Sequence, residues 1–338
     1  MAAIVPRRNR FGQLVGYQAK VRFKGRTQSK TFRRKADAER WGRETETDIE
    51  RGVFVDRTLA ERTTLGRCLE LYKKEVTPKK KGAARELKRI DMWLSDPLAK
   101  RPIASLEAAD FVEWMARRGK RGDVSQAAAA NTIRLDLALI RHLFTVAPKR
   151  WRIKGIGNPV CELELPSLPS GRDRRLIDDE EERLLRACDQ SGNRWLSSFV
   201  RLLIETAMRR GELLATLWEN VNLSRRFIRL PDTKPGEARD VPLSTVAVGI
   251  LRKLPRSIDG RVFPLSENTV KNLFVRACQR AGITGLRMHD LRHEATSRLY
   301  ERTNLRDGEV AAITGHKTLQ MLKRYTNLTT DHLADKLG

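Results

Sequence analysis

Between Leu65 and Val146 apolar residues recur at helical spacing, and each recurrence is cut short by a helix-stopping residue. Such a stretch can only fold as several short helices packed together. Leu65, Leu69, Tyr72 and Val76 stand four, three and four residues apart, and Pro78 ends the run. Helical stretches follow over 83–94, over 105–118 before Gly119, and over 125–146 before Pro148, with Ser105 expected as an N-cap. No strand-like alternation interrupts them, so a helical bundle is expected over residues 58–165.

The flanks read differently. Residues 17–23 and 28–32 look like short strands around Lys24-Gly25-Arg26, whose glycine marks a tight hairpin. A helix over 36–51 follows, with Ala38, Trp41 and Thr45 in register and Gly52 as its stop. Residues 1–55 are therefore expected to form a small three-stranded sheet plus a helix, and 53–63 a linker. Residues 158–171, with Pro159, Pro166, Pro169 and Gly171, read as a second linker. A third domain over 174–338 opens with the acidic run 178–182 at a helix start, where negative charge complements the helix dipole. Helices over 194–207 and 210–217 precede a β-hairpin of 227–230 and 239–243, and the remainder is mostly helical. The expected fold class is mainly α with small β elements, in three domains, which suits 338 residues at about 150 per domain.

Lys and Arg number 67 against 42 Asp and Glu, a net charge of +25, which calls for a polyanionic partner. With 40% hydrophobic residues the chain can bury a core and is no disordered basic tail. No apolar run reaches the roughly 18 residues of a membrane helix, and the N-terminus lacks a signal core. A cytoplasmic, nucleoid-associated location is expected, without membrane contact. The four cysteines are 93, 27 and 90 residues apart with no Cys-x-x-Cys pair, so four buried thiols are expected rather than disulfides or zinc. A phosphate-cradling glycine loop, Gly-x-Ser-x-Gly and His-Glu-x-x-His are all missing, and no metal or cofactor is expected.

Cations and imidazoles concentrate in the last third. On a helix His289 and Arg292, three apart, project from one face and could share one phosphate; alone, such a pair is as well a surface pair or a cap. Arg209 sits at the junction of two helical stretches, with Gly211 breaking the period and Glu212 three residues on. It either aims into a cleft or forms an ion pair with Glu212, while Arg210 points elsewhere. Thr314-Gly315-His316 is a turn into a helix, and nine residues past His316 stands Tyr325, one of four tyrosines.

Together, Arg209 with Glu212, Lys234 in the hairpin, His289-x-x-Arg292, Gly315-His316 and Tyr325 resemble, in order and spacing, the tyrosine recombinases of the phage integrase family over residues 174–327. Residues 65–147 are similar to the family's core-binding (SAM-like) domain, and residues 1–52 to an arm-type DNA-binding module. Asn131-Thr-Ile-Arg-Leu, Ser170-Gly-Arg-Asp-Arg-Arg-Leu, Glu205-Thr-Ala-Met-Arg, His289-Asp-Leu-Arg-His and Met321-Leu-Lys-Arg-Tyr-Thr look like the shufflon-type DNA invertases. The basic N-terminal module and the 13 residues after Tyr325 look more like an integrase of a prophage or mobile element. Integrase is thus the expected function and invertase the alternative. Ala207 stands where many relatives have glycine and is expected to matter little.

The resemblance implies phosphodiester transesterification without metal or ATP. Tyr325 attacks the scissile phosphate and forms a 3′-phosphotyrosyl link, Arg209 and Arg292 stabilise the developing charge, and His289 is the candidate base. Lys234 protonates the departing 5′-hydroxyl, His316 hydrogen-bonds the phosphate, Glu212 orients Arg209, and His293 packs or caps. The implied partners are double-stranded DNA carrying specific recombination sites and a homotetramer on two such sites, with the tail 331–337 docking on a neighbour. A host DNA-bending or excision factor stays open. Lys20, Arg22, Lys24 and Arg26 in the arm, and Lys79, Lys80, Lys81, Arg85, Arg134 and Arg141 in the bundle, are candidate DNA contacts, as are Lys88, Arg89, Arg117, Arg118 and Arg121. Such charges equally make a solvated face. A non-cutting DNA-binding protein of the same fold and a type IB topoisomerase are the competing classes.

Overall fold

Ala19 and Val21 alternate with Lys20 and Arg22, and this two-residue period builds the first sheet of the computed structural model, which describes residues 2–23, 26–119, 127–231 and 238–325. Strands β1 (Ala3–Arg8), β2 (Leu14–Phe23) and β3 (Arg26–Phe32) are antiparallel in that order. Helix α1 (Lys35–Glu50) packs on β2, and Ala19 and Val21 are buried. Lys20 and Arg22 are exposed. Gly42 is required on α1, because a Cβ there would lie 2.6 Å from that of Ala2. Arg26 opens β3 opposite Phe23, and Lys24 lies outside the described residues.

The chain divides into two compact units, Met1–Pro169 and Ser170–Gly338. In the first, the expected linker over 53–63 contains a short helix, α2 (Thr58–Arg62). Its start is fixed by Asp56, whose carboxylate accepts from the Thr58 N–H at 2.9 Å, and its Ala60 is fully buried. Gln28 Nε2 donates to Asp56 at 2.7 Å and Lys30 pairs with Glu61 at 3.2 Å, tying α2 to β3.

Helices α3 (Leu65–Glu75), α4 (Ala83–Leu94), α5 (Ala108–Gly119) and α6 (Ala130–Arg150) form the expected bundle. Trp93 and Trp114 stack in its core with centroids 4.2 Å apart. Two boundaries differ from expectation. Ser105 does not cap α5: its hydroxyl donates to the Pro102 carbonyl at 2.9 Å within a 3₁₀ turn, and Asp110 caps the later start by accepting from the Glu107 N–H at 2.9 Å. Helix α6 runs through Pro148, whose lost hydrogen bond falls in the last turn and disturbs little.

Several cations expected on DNA are engaged within this unit. Arg89 and Arg118 converge on Asp136 at 3.1 and 3.4 Å, a carboxylate 1% exposed that joins α4, α5 and α6. Lys80 Nζ donates to Glu86 and to the Tyr72 hydroxyl, both at 2.6 Å, and Arg134 donates to the Pro166 carbonyl at 3.0 Å. Lys79, Lys81, Arg85 and Arg141 are exposed. Cys68, Cys188 and Cys278 are buried, but Cys161 is exposed because it sits on a 3₁₀ turn, Pro159–Glu162, rather than in a core helix. Among the described residues no helix is long and apolar enough to cross a membrane.

The second unit is built around α8 (Leu196–Thr206), whose Leu196, Phe199, Val200, Leu202 and Leu203 are fully buried. An apolar helix of this kind needs neighbours on several sides. These are α7 (Glu180–Asp189), α10 (Thr245–Lys253) and α12 (Met288–Arg302). Helix α9 (Arg210–Ala215) follows α8, and strands β4 (Val221–Asn222), β5 (Phe227–Leu230) and β6 (Arg239–Pro242) form a second antiparallel sheet. Residues 232–237, expected to turn between these strands, lie outside the described residues. Helices α11 (Glu267–Arg280) and α13 (Asp307–Thr314) complete the unit. Arg172 pairs with Asp290 at 3.2 Å and Arg175 with Glu294 at 3.0 Å, clamping the entering segment along α12.

Candidate active site

Helix α8 ends at Ala207, which takes the left-handed conformation with φ +51°. A residue with a Cβ there costs roughly 1 kcal/mol or more, so alanine at this point is a strained choice rather than the neutral exchange expected from sequence. The turn aims the Ala207 carbonyl at Arg292, whose Nη1 donates to it at 2.6 Å, and extends Arg209 at the start of α9. Glu212, in the first turn of α9, accepts from the Arg209 backbone N–H at 2.9 Å and from its Nη1 at 2.7 Å. Arg210 turns away to Glu267 at 3.0 Å.

Sequence reading missed Arg239. From β6 it grips both oxygens of Glu212, at 3.1 and 2.8 Å, and donates through Nε to the Ile313 carbonyl at 3.3 Å. The available signal was its place on the inward face of β6, sharing the two-residue period with buried Val241. Burial pushes the Glu212 carboxyl up, but the bonds from Arg239 and Arg209 outweigh it and hold it below the usual range.

Three cations and one turn meet here. Arg209 Nη2 donates to the Gly315 carbonyl at 3.0 Å, and Arg292 Nη2 donates to the preceding carbonyl, Thr314, at 2.7 Å. Gly315 ends α13 at φ +71°, and a Cβ there would lie 2.6 Å from Arg239 Nη1. Gly315→Ala should therefore cost about 2 kcal/mol, from the left-handed backbone and the displaced guanidinium, and lower the melting temperature by roughly 5 °C. An unchanged thermal melt would contradict this packing.

Arg292 is 4% exposed, and burial followed by the nearby Arg209 pulls its guanidinium down to about 10, which leaves it charged at neutral pH. Its Nη2 also reaches His316 Nε2 at 3.3 Å. The Thr314 hydroxyl donates to the Val310 carbonyl at 2.7 Å, so it can only accept from His316 Nδ1, also at 2.7 Å. That network places the ring proton on Nδ1 and leaves Nε2 as the acceptor.

Tyr325 stands beside these groups, its ring 6.0 Å from that of His316. Its hydroxyl hydrogen-bonds His293 Nδ1, and the two rings stack at 5.7 Å. Sequence reading gave the base to His289 and mere packing to His293. Of the two, it is His293 that meets the Tyr325 hydroxyl, while His289 lies edge-on to the His293 ring at 5.0 Å. Burial raises the Tyr325 phenol above its ordinary value, against the pull of Arg324 and Arg292. Lys234 lies outside the described residues, as does the tail 331–337.

His293 and His316 are both held down to about 4, by burial and then by neighbouring His289 and Arg292 respectively. An unfolded chain takes up these protons near 6.5, so between about 6.5 and 4 the unfolded state binds more of them. Stability is complete above that window and falls as pH drops through it. Thermal melts should therefore decline steadily from about pH 6.5 towards pH 4, whereas a flat profile would contradict two neutral imidazoles.

Three guanidinium groups thus face one carboxylate, next to neutral imidazoles and a phenol. Such a site suits an anion whose charge grows during reaction, with the phenol as nucleophile. Comparison with known proteins agrees in kind. Residues 174–332 match the sequence profile of the Phage integrase family. The shufflon-specific DNA recombinase of Escherichia coli is 39% identical over 278 residues, covering 81% of this chain and 71% of that protein. Among solved structures, the Tn1549 transposon integrase in complex with circular intermediate DNA is similar at a TM-score of 0.67 and 18% identity, covering 82% of this chain and 99% of that one. The lambda integrase tetramer bound to a Holliday junction is similar at 0.63 and 20%, with 92% of each chain covered.

Proposed function

Since this chain belongs to the phage integrase family of tyrosine recombinases, the enzymes of site-specific DNA strand exchange, we propose that it cuts and rejoins double-stranded DNA through a 3′-phosphotyrosyl intermediate on Tyr325. The observation that carries this is the convergence of Arg209, Arg292, His316 and Tyr325 on the single turn at Thr314 and Gly315. Arg209 and Arg292 stabilise the charge that builds on the non-bridging oxygens, and Glu212 with Arg239 holds Arg209 in place. His316 braces Arg292 from the same turn, its Nε2 lying 3.3 Å from Arg292 Nη2. Lys234, in the segment between β5 and β6, protonates the departing 5′-oxygen. The phosphotyrosyl bond conserves the energy of the broken phosphodiester, so a second 5′-hydroxyl reverses the step without ATP or metal.

Two DNA-facing surfaces support the same reading: the exposed Lys20 and Arg22 on β2, and Lys79, Lys81, Arg85 and Arg141 on the bundle. Residues 1–55, 58–165 and 174–338 serve as arm-binding, core-binding and catalytic domains. Four protomers on two sites form the working unit, as in the lambda integrase tetramer on its Holliday junction. The biological role is integration by a prophage or other mobile element. A second role, inversion, is favoured by the 39% identity to a recombinase named for the shufflon.

A nicked duplex carrying a candidate recombination site tests the chemistry. Incubated with the protein in EDTA and run on a denaturing gel, it should yield a covalent protein–DNA adduct, because the nick lets the cut strand diffuse away. Tight, salt-sensitive binding to a verified site without any adduct would favour a protein that binds and does not cut.

A further inference from the structure

Tyr325 must lose its phenolic proton as its oxygen bonds to phosphorus. On the premise above that Tyr325 is the nucleophile, we propose that His293, rather than His289, is the catalytic base that takes this proton, on Nδ1.

The contact is direct. His293 Nδ1 hydrogen-bonds the Tyr325 hydroxyl, and the rings lie at 29° to each other, 5.7 Å apart. A phenol donates, and a neutral imidazole protonated on Nε2 accepts at Nδ1, so the proton already points along the path it must travel. His293 follows Arg292 in the chain, and α12 therefore delivers the base and a phosphate-stabilising cation from one turn. His289, a turn earlier, meets the His293 ring edge-on at 5.0 Å and among the described residues makes no hydrogen bond to Tyr325.

The charged and titratable groups around His293 are two guanidinium groups, two imidazoles and one carboxylate. From α12 come His289, Asp290 and Arg292, from the C-terminal segment Arg324, and His316 lies across the Tyr325 ring. Arg324 is in turn 3.5 Å from Asp173. Burial and these neighbours keep His293 unprotonated at neutral pH and so able to accept. A phosphodiester entering the site brings negative charge, which raises the proton affinity of His293 at the moment of attack.

The step balances. The bond from Tyr325 Oη to phosphorus forms as the bond from phosphorus to the 5′-oxygen breaks. The phenolic proton passes to His293 Nδ1, and the departing oxygen takes a proton from Lys234. In the rejoining step a 5′-hydroxyl attacks, and His293 returns its proton to the phenol.

Single-turnover adduct formation on the nicked duplex, measured from about pH 5.5 to 9 in EDTA, separates the two histidines. Wild type should give a flat profile. His293→Ala should be roughly 10²- to 10⁴-fold slower at neutral pH, rise about tenfold per pH unit, and recover with added free imidazole. His293→Gln keeps an acceptor but cannot take the proton, so it should show the same slope with an unchanged thermal melt. His289→Ala should stay flat whatever its rate. The proposal is overturned if both His293 variants are slow but flat, or if the slope appears in His289→Ala. A wild type that forms no adduct removes the nucleophile itself and is a separate failure.

Discussion

Tyr325→Phe leaves DNA binding within about twofold of wild type and removes the covalent adduct entirely. The substitution deletes one oxygen at the edge of the site. The ring still stacks on His293 and approaches His316, so the fold around α12 and α13 persists. No other phenol replaces the lost one. Tyr17 on β2 and the buried Tyr72 belong to the other unit, and Tyr300 is bonded to Asp307 at 2.9 Å with its phenol pushed up by burial. An adduct that survives the substitution on a denaturing gel would mean that another residue attacks.

Arg292→Lys gives the second large effect, a fall in adduct formation of about 10²- to 10³-fold, the loss typical when one charge-stabilising donor is removed from a preorganised site. Charge alone is not what the position supplies. The Arg292 fork holds the carbonyls of Ala207 and Thr314 at 2.6 and 2.7 Å and reaches His316, thereby fixing the end of α8 against the end of α13. A lysine ammonium is a single point and cannot span the two carbonyls and the imidazole. Buried this deeply it would also shed its proton readily. The test is a single-turnover rate beside a DNA-binding isotherm: a rate near wild type would show that Arg292 is structural only.

Much of this organisation was legible in the sequence. The period of Leu65, Leu69 and Tyr72 marks α3, and the spacing of His289 and Arg292 marks one face of α12, because both follow from helix geometry alone. What escaped depends on contacts between segments far apart in the chain. Helix α2 starts from an aspartate-bonded turn and is held by one buried alanine inside a polar stretch. Ser105 looks like a cap until Pro102 claims its hydroxyl. Arg89 and Arg118 look like phosphate ligands until Asp136, buried between them, takes both.

The site shows the same division. Arg209 with Glu212 is a local pair, visible at a spacing of three. Arg239 lies 27 residues beyond Glu212, and only the sheet brings it back. His293 is separated by 32 residues from Tyr325 and by four from His289, so spacing alone does not say which imidazole meets the phenol. Helical phase decides between them, and the position of Tyr325 relative to α12 is set by tertiary packing.

The most direct measurement takes the trapped adduct from the nicked duplex, digests protein and DNA, and locates the nucleotide-bearing peptide by mass spectrometry. Tyr325 should carry the 3′-phosphate of the cut strand. A nucleotide on any other residue, or no adduct on a site the protein binds tightly, would contradict a tyrosine recombinase acting through this turn.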